Sequence, residues 1–280
     1  MTGLAYRSHY DLLGFRAEIA SNSPDFIATL DRLNAAFRVS PEVWGRRPDG
    51  RYQVWVDADG ECWDVTCQGQ DLDWCDDLIE AVSYVEWHLC DQAIARRHDL
   101  LHVHGAVLSG PRGSLLLPGA SGIGKTTFAL ALALRGLRLL SDDVVFLRPD
   151  TWEVEPFPRA FHVHDDALPR LEPLGLRYRP EDHIGPFLCS TVLGPWERTP
   201  GPPLRYVVLP RLEPGGPLEL QPLSQAEATL ELTRCSKNLR AFPRFGLELI
   251  ARLMEGVECY LLRRNDDLAA AAGLVYALLA

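Results

Sequence analysis

Eight residues constrain this chain more than any others. Gly119-Ala120-Ser121-Gly122-Ile123-Gly124-Lys125-Thr126 satisfies the pattern G-x-x-x-x-G-K-[ST] at every fixed position. The motif stands in the context its chemistry requires. An apolar run from Ser114 to Leu117 predicts a buried strand ahead of it, and Thr127 to Gly136 predicts a helix closed by a glycine. Glycines at 119, 122 and 124 permit backbone conformations and close approaches that a Cβ would block. Successive N–H groups can then turn onto an anion, backed by the positive end of the helix. Lys125 would reach the outer phosphates of such an anion, Thr126 would offer its hydroxyl to Mg²⁺, and Thr127 closes the expected binding set. The lysine is itself informative. The chain has 26 arginines and only two lysines, Lys125 and Lys237. A compact ammonium stands where charge must sit among phosphates, a task that a guanidinium performs differently.

The 280 residues suit one large domain or two modest ones, and 47% hydrophobic content fills a core. The net charge of −10 is uneven, with nine arginines against eighteen acids in residues 1–100 and near balance beyond. That distribution argues against nonspecific nucleic-acid or anionic-membrane binding. Seven cysteines without metal-type spacing predict reduced thiols rather than a disulfide framework. The opening MTGLAYRSHYDLLG lacks a signal-peptide core, and no stretch is long enough to span a membrane. A soluble, cytoplasmic protein is the expectation.

Residues 1–100 predict a small acidic α/β module for partner or substrate recognition, and 101–280 the domain that carries the glycine loop. In the first part, Leu12–Ala20 alternates as a strand. Phe26, Ile27, Leu30, Leu33 and Phe37 share one helix face behind Ser21-Asn22-Ser23-Pro24. Gln53–Asp57 and Glu61–Cys67 flank the hairpin signal Asp57-Ala58-Asp59-Gly60. The acidic run Asp71, Asp73, Asp76, Asp77 reads as a solvated helix start favoured by the dipole, with Trp63, Trp74 and Trp87 as core.

In the second part, Leu100–Leu108 is a strand joined to the loop strand by Gly110-Pro111-Arg112-Gly113. His102 and His104 share one of its faces. Leu137–Leu147 is a strand containing Ser141-Asp142-Asp143. An acidic pair inside RLLSDDVVFL is costly to bury unless a metal, hydrogen bonds or a substrate hydroxyl satisfy it. His162 and His164 alternate along a further strand and could line a substrate pocket. Residues 169–203, rich in Pro, Gly and Arg, read as a functional loop. Leu204–Pro210 is a strand, Ser224 with Glu227 caps a helix to Lys237, and residues 246–256, 258–263 and the stretch after Asn265 give a helix, a strand and a last helix.

The segment VHGAVLSG … GSLLLPGASGIGKTTFALALALRGLRLLSDDVV, within residues 102–147, resembles the C-terminal kinase domain of the HPr kinase/phosphorylase family. That family joins an HG-containing strand, a GxSGxGKS-type loop, a glycine-ended helix and a strand ending in two aspartates. The resemblance implies an α/β fold with α+β elements, a P-loop kinase domain similar to phosphoenolpyruvate carboxykinase rather than to Ras-like or RecA-like proteins. By position it implies His104 as the active-site histidine, Asp142 as the aspartate that takes the acceptor's proton, and Asp143 as its neighbour near metal and histidine. Lys125 and Thr126 match the phosphate and magnesium residues. Thr126 stands where the bacterial enzymes usually have serine. The family's second motif, a glutamate followed by Arg-Gly-Leu-Gly, is replaced by Glu153-Val154-Glu155-Pro156-Phe157-Pro158-Arg159-Ala160-Phe161. There Arg159 is the candidate phosphate contact and Glu155 the candidate outer metal carboxylate.

What the resemblance implies is an ATP- and Mg²⁺-dependent kinase. It would phosphorylate a Ser or Thr hydroxyl of a peptide or protein, such as a modified-peptide precursor, since the chain looks like a divergent family member of the kind found beside biosynthetic genes for modified peptides. The family's frequent oligomers imply a homo-oligomer. Arg159, His162 and Lys237 are the substrate candidates. Two rivals use the same residues: a kinase for a small-molecule hydroxyl, such as an amino acid or sugar, and a nucleotide-sensing module that engages a partner without catalysis.

Overall fold

Leu13 and Gly14 decide how the chain begins. Both take positive φ, 53° and 91°. The alternation over Leu12–Ala20 is therefore folded back on itself as a hairpin of β1 (Tyr6–Leu12) and β2 (Phe15–Ser21), not drawn out as one strand. The computed structural model describes residues 3–43 and 47–280, so Met1 and Thr2 of the opening segment lie outside it. It divides into two units, Met1–Arg97 with Tyr178–Gly194, and His98–Arg177 with Pro195–Ala280.

In the first unit α1 (Pro24–Leu33) starts where Ser23 accepts a hydrogen bond from the Phe26 N–H, and it buries Phe26, Ile27, Leu30 and Leu33. This helix carries the crossover that sets β3 (Gly50–Val56) parallel to β2. β4 (Trp63–Cys67) and β5 (Gln70–Cys75) complete a sheet of order β1-β2-β3-β4-β5. The acidic run is split by the fold. Asp71 and Asp73 lie on the edge strand β5, and Asp77 alone caps α2 (Leu78–Ala95), accepting from Glu80 N–H at 2.8 Å. Of the three tryptophans expected in the core only Trp63 is buried. Trp74, on the edge strand, is 65% exposed, and Trp87, off the buried face of α2, is 54% exposed.

The second unit is built on one sheet. β6 (Leu101–Gly110) turns tightly into β7 (Gly113–Pro118), and the glycine loop leads from β7 to α3 (Lys125–Leu134), which begins two residues ahead of expectation. The single strand expected over Leu137–Leu147 is two, β8 (Arg138–Ser141) and β9 (Val144–Leu147). β9 pairs with the first half of β6 and β8 with the second, so Asp142 and Asp143 fill the break between them. β10 (Val154–Glu155) extends the sheet beyond β9. The strand expected through His162 and His164 shortens to β11 (Phe161–His162), followed by α4 (Leu168–Leu171). Part of the long irregular stretch, with the hairpin of β12 (His183–Ile184) and β13 (Phe187–Leu188), belongs to the first unit.

The chain returns as β14 (Leu204–Leu212), parallel to β7, then β15 (Glu219–Pro222). Ser224 caps α5 (Gln225–Cys235), which stops short of Lys237. α6 (Leu247–Glu255) and β16 (Glu258–Arg264), parallel to β14, lead to α7 (Leu268–Leu279). Asp267, not Asn265, caps α7; the Asn265 side chain accepts from Asp267 N–H instead. The strand order is β10-β9-β6-β7-β14-β16-β15. Leu101, Val103, Val107, Leu116 and Val207 share a core with α5 and α6, while α3 and α7 pack together apart from that cluster. The fold is thus mixed α/β, with the parallel strands β7, β14 and β16 ending on the edge that carries the loop.

Candidate active site

The loop takes the shape its glycines permit. Gly122 and Gly124 have φ of 82° and 79°, the left-handed region in which a side chain is strained. Ala120, Ser121 and Gly122 form an exposed rim, and Lys125 is buried at the first position of α3. Its ammonium donates to the Ala120 carbonyl at 2.6 Å and lies 3.3 Å from His104 Nε2. Burial lowers the Lys125 pKa, and the Asp142 charge partly opposes that shift.

The aspartate pair lies opposite Gly105, whose N–H donates to the Asp143 carbonyl at 3.2 Å. Only glycine fits there, because a Cβ would meet the Leu117 carbonyl oxygen at 2.6 Å. Asp143 has φ of 70°, a conformation that aspartate tolerates better than most residues. The break turns the two carboxylates to different partners. The Thr126 hydroxyl donates to Asp142 Oδ2 at 2.8 Å. The other Asp142 oxygen, Oδ1, is buried with no hydrogen-bond partner. Asp143 faces His104, with Nδ1 2.9 Å from its carbonyl and 3.2 Å from Oδ1, and takes the Arg159 guanidinium on Oδ2 at 2.9 Å. With Nδ1 donating to Asp143, Nε2 of His104 is left to accept from the ammonium.

The two carboxyls are tuned in opposite directions. Burial raises the Asp142 pKa, with the Thr126 hydrogen bond opposing. The His104 hydrogen bond, helped by Arg159, lowers that of Asp143 against partial desolvation. Thr126 and Lys125 are therefore joined to the pair, the first directly and the second through His104.

The other expected residues fall unevenly. Arg159 is brought into the site, though on Asp143. Lys237 donates its backbone N–H to the His102 carbonyl at 2.9 Å, and its charge adds slightly to the lowering of the Lys125 pKa. His102 is buried against Phe146, ring centroids 4.9 Å apart. His162 is exposed, its ring edge-on to His164 at 6.0 Å, and the bonds just described do not run through it. Glu155 is engaged by Arg148 at 2.7 Å. Thr127 lies half-buried in the first turn of α3. Among the described residues no group of three or more His, Cys, Asp or Glu is placed to hold a metal ion. Among those residues no helix is long and apolar enough to cross a membrane.

One residue escaped the sequence reading. Arg264, at the end of β16, is 6% exposed, and its Nη2 lies 3.5 Å from the Ile123 carbonyl of the loop. Its only sequence sign is parity. Arg263 faces Glu213 at 2.9 Å, so the next residue along the strand turns inward.

HPr kinase/phosphorylase of Geobacter sulfurreducens is 45% identical over 47 residues, 17% of this chain and 15% of that protein. The chain thus matches under a sixth of that relative's length. The HPr(Ser) kinase/phosphatase structure from Coxiella burnetii aligns over 63% of this chain and 92% of its own at 15% identity, with a TM-score of 0.28. No family model matches the chain.

Proposed function

We propose that the chain is an ATP-dependent kinase that transfers the γ-phosphoryl group to a hydroxyl, the acceptor being a Ser or Thr of a peptide or protein. The observation that carries this reading is the double link between the glycine loop and the aspartate pair: Thr126 to Asp142, and Lys125 through His104 to Asp143. A glycine-rich turn of purely structural use has no need of either. The short match to HPr kinase/phosphorylase supports the same chemistry.

The hydrogen bonds favour an exchange of the expected aspartate roles. Asp142, with one oxygen on Thr126 and one buried oxygen unpartnered, fits a magnesium-side carboxylate, and Thr126 is its companion. Bound there, Mg²⁺ would neutralise charge on the phosphates. Asp143, half-exposed and kept ionised by His104 and Arg159, fits the group that orients the acceptor hydroxyl. The acceptor oxygen forms a bond to the γ-phosphorus, the bond to the bridging oxygen breaks, ADP leaves, and the hydroxyl proton passes to Asp143. Phosphoryl transfer asks mainly for positioning and charge neutralisation, so a carboxylate of low basicity suffices. The loop amides of residues 119–127 and Lys125 would hold the phosphates.

The test is direct. Purified protein with γ-labelled ATP and Mg²⁺ is given a peptide pool and, separately, a pool of small hydroxyl compounds. Label appearing in the peptide fraction, and lost in Lys125→Ala, is the expected result. Label confined to small molecules replaces the acceptor class, and tight ATP binding with no transfer to either pool leaves a nucleotide sensor.

A further inference from the structure

Arginine keeps its charge at every relevant pH, so a buried guanidinium needs partners. Arg264 has few. Its Nε is buried with no hydrogen-bond partner, and its one bond to the loop, to the Ile123 carbonyl, is long at 3.5 Å. No carboxylate among the described residues lies within ion-pair distance of it, whereas its neighbour Arg263 is held by Glu213. The guanidinium lies 5.6 Å from the Phe128 ring centroid on α3. Its Nη2 also stands 2.8 Å from where a Cβ on Gly124 would be, so the missing side chain lets the cation close on the loop. The backbone of Arg264 is fixed by pairing with Leu212 and by the Glu213 N–H on its carbonyl at 2.8 Å.

A brace for the loop would not require a charge, and a cation so placed beside the N-terminus of α3 adds to a field that already attracts anions. We propose that Arg264 is a second phosphate-binding cation of the glycine loop, acting with Lys125 on the phosphates of a nucleoside di- or triphosphate. The proposal rests on the nucleotide reading above and adds a ligand residue to it.

Arg264→Met and Arg264→Lys are titrated with ADP, ATP and inorganic tripolyphosphate by calorimetry, with thermal melts alongside. Arg264→Met is expected to weaken ADP and tripolyphosphate on the order of 10- to 100-fold, the scale of a charge-assisted hydrogen bond, and Arg264→Lys to recover part. Wild-type affinity in Arg264→Met overturns the proposal. If Arg264→Met does not fold, the arginine Hε resonance present in wild type and absent from Arg264→Lys decides. A shift on adding ADP supports the contact, and no shift rejects it. If the wild type binds none of the three ligands, the nucleotide reading itself falls, an outcome distinct from an Arg264 variant that binds as well as wild type.

Discussion

Asp31 of the first unit and Asp142 of the second are both inward-facing carboxylates beside hydroxyls, and they differ in how fully they are satisfied. Asp31 Oδ1 accepts from Ser8 and from Tyr10, the latter at 2.6 Å, and Oδ2 meets Arg38 at 3.3 Å. Tyr10 is wholly buried, and burial with the adjacent Asp31 pushes its pKa well up. Every group in that cluster has its partner inside the first unit. Asp142 has one oxygen on Thr126 and the other buried and bare, at the end of a glycine loop. A completed polar network supports the fold, while a buried carboxylate oxygen left without a partner beside the glycine loop leaves its polar network incomplete.

The largest effects are expected at the site. Asp143→Asn is expected to lower phosphoryl transfer by roughly 10²- to 10⁴-fold, the usual share of a positioned proton acceptor, with nucleotide affinity little changed. Transfer at the wild-type rate in the labelling assay would remove Asp143 from the mechanism. Next, Asp142→Asn and Asp31→Ala should separate. The first should weaken magnesium-dependent nucleotide binding by about 10- to 100-fold, as loss of a group supporting a metal does, and leave the melting temperature level or higher, because burial penalises its charge. The second should cost about 2–3 kcal/mol of stability by denaturant titration, since it strips partners from two hydroxyls and an arginine, and leave nucleotide binding intact. Equal loss of stability in both would show that Asp142 supports the fold as Asp31 does.

The smallest effect concerns pH. Asp143 has a lowered folded-state pKa, so its favourable interactions are complete above the ordinary carboxylate range and are lost as pH falls through the lowered value. Arg159→Met removes one of the causes, after the His104 hydrogen bond, and should move the acid limb of the pH–rate profile upward without changing its plateau position at neutral pH. An unmoved acid limb would show that the Arg159 charge does not set the state of Asp143.

Local patterns were legible because they are written in contiguous residues. The hairpin at Asp57–Gly60, the Ser23 and Ser224 caps and the face of α1 from Phe26 to Leu33 each follow from backbone preferences spanning a few positions. Phe37, expected on the same face, is instead buried from a separate 3-10 turn after the helix ends. Where the reading failed, the reason was distance or parity. Trp74 and Trp87 look like core by composition, yet one lies on an edge strand and the other off the buried helix face. The run Leu137–Leu147 looks like one strand, yet β6 pairs its two halves separately and leaves the acids in the gap.

The sequence by itself determined the cradle: its glycines, its lysine and its threonine act through backbone freedom and side chains adjacent in the chain. Only the tertiary structure decided which aspartate meets Thr126, which meets His104, and that Arg264 closes on the loop from 141 positions beyond Ile123. Those pairings depend on strand register and on which way successive side chains turn, and a one-residue slip in a strand turns its side chains to the other face.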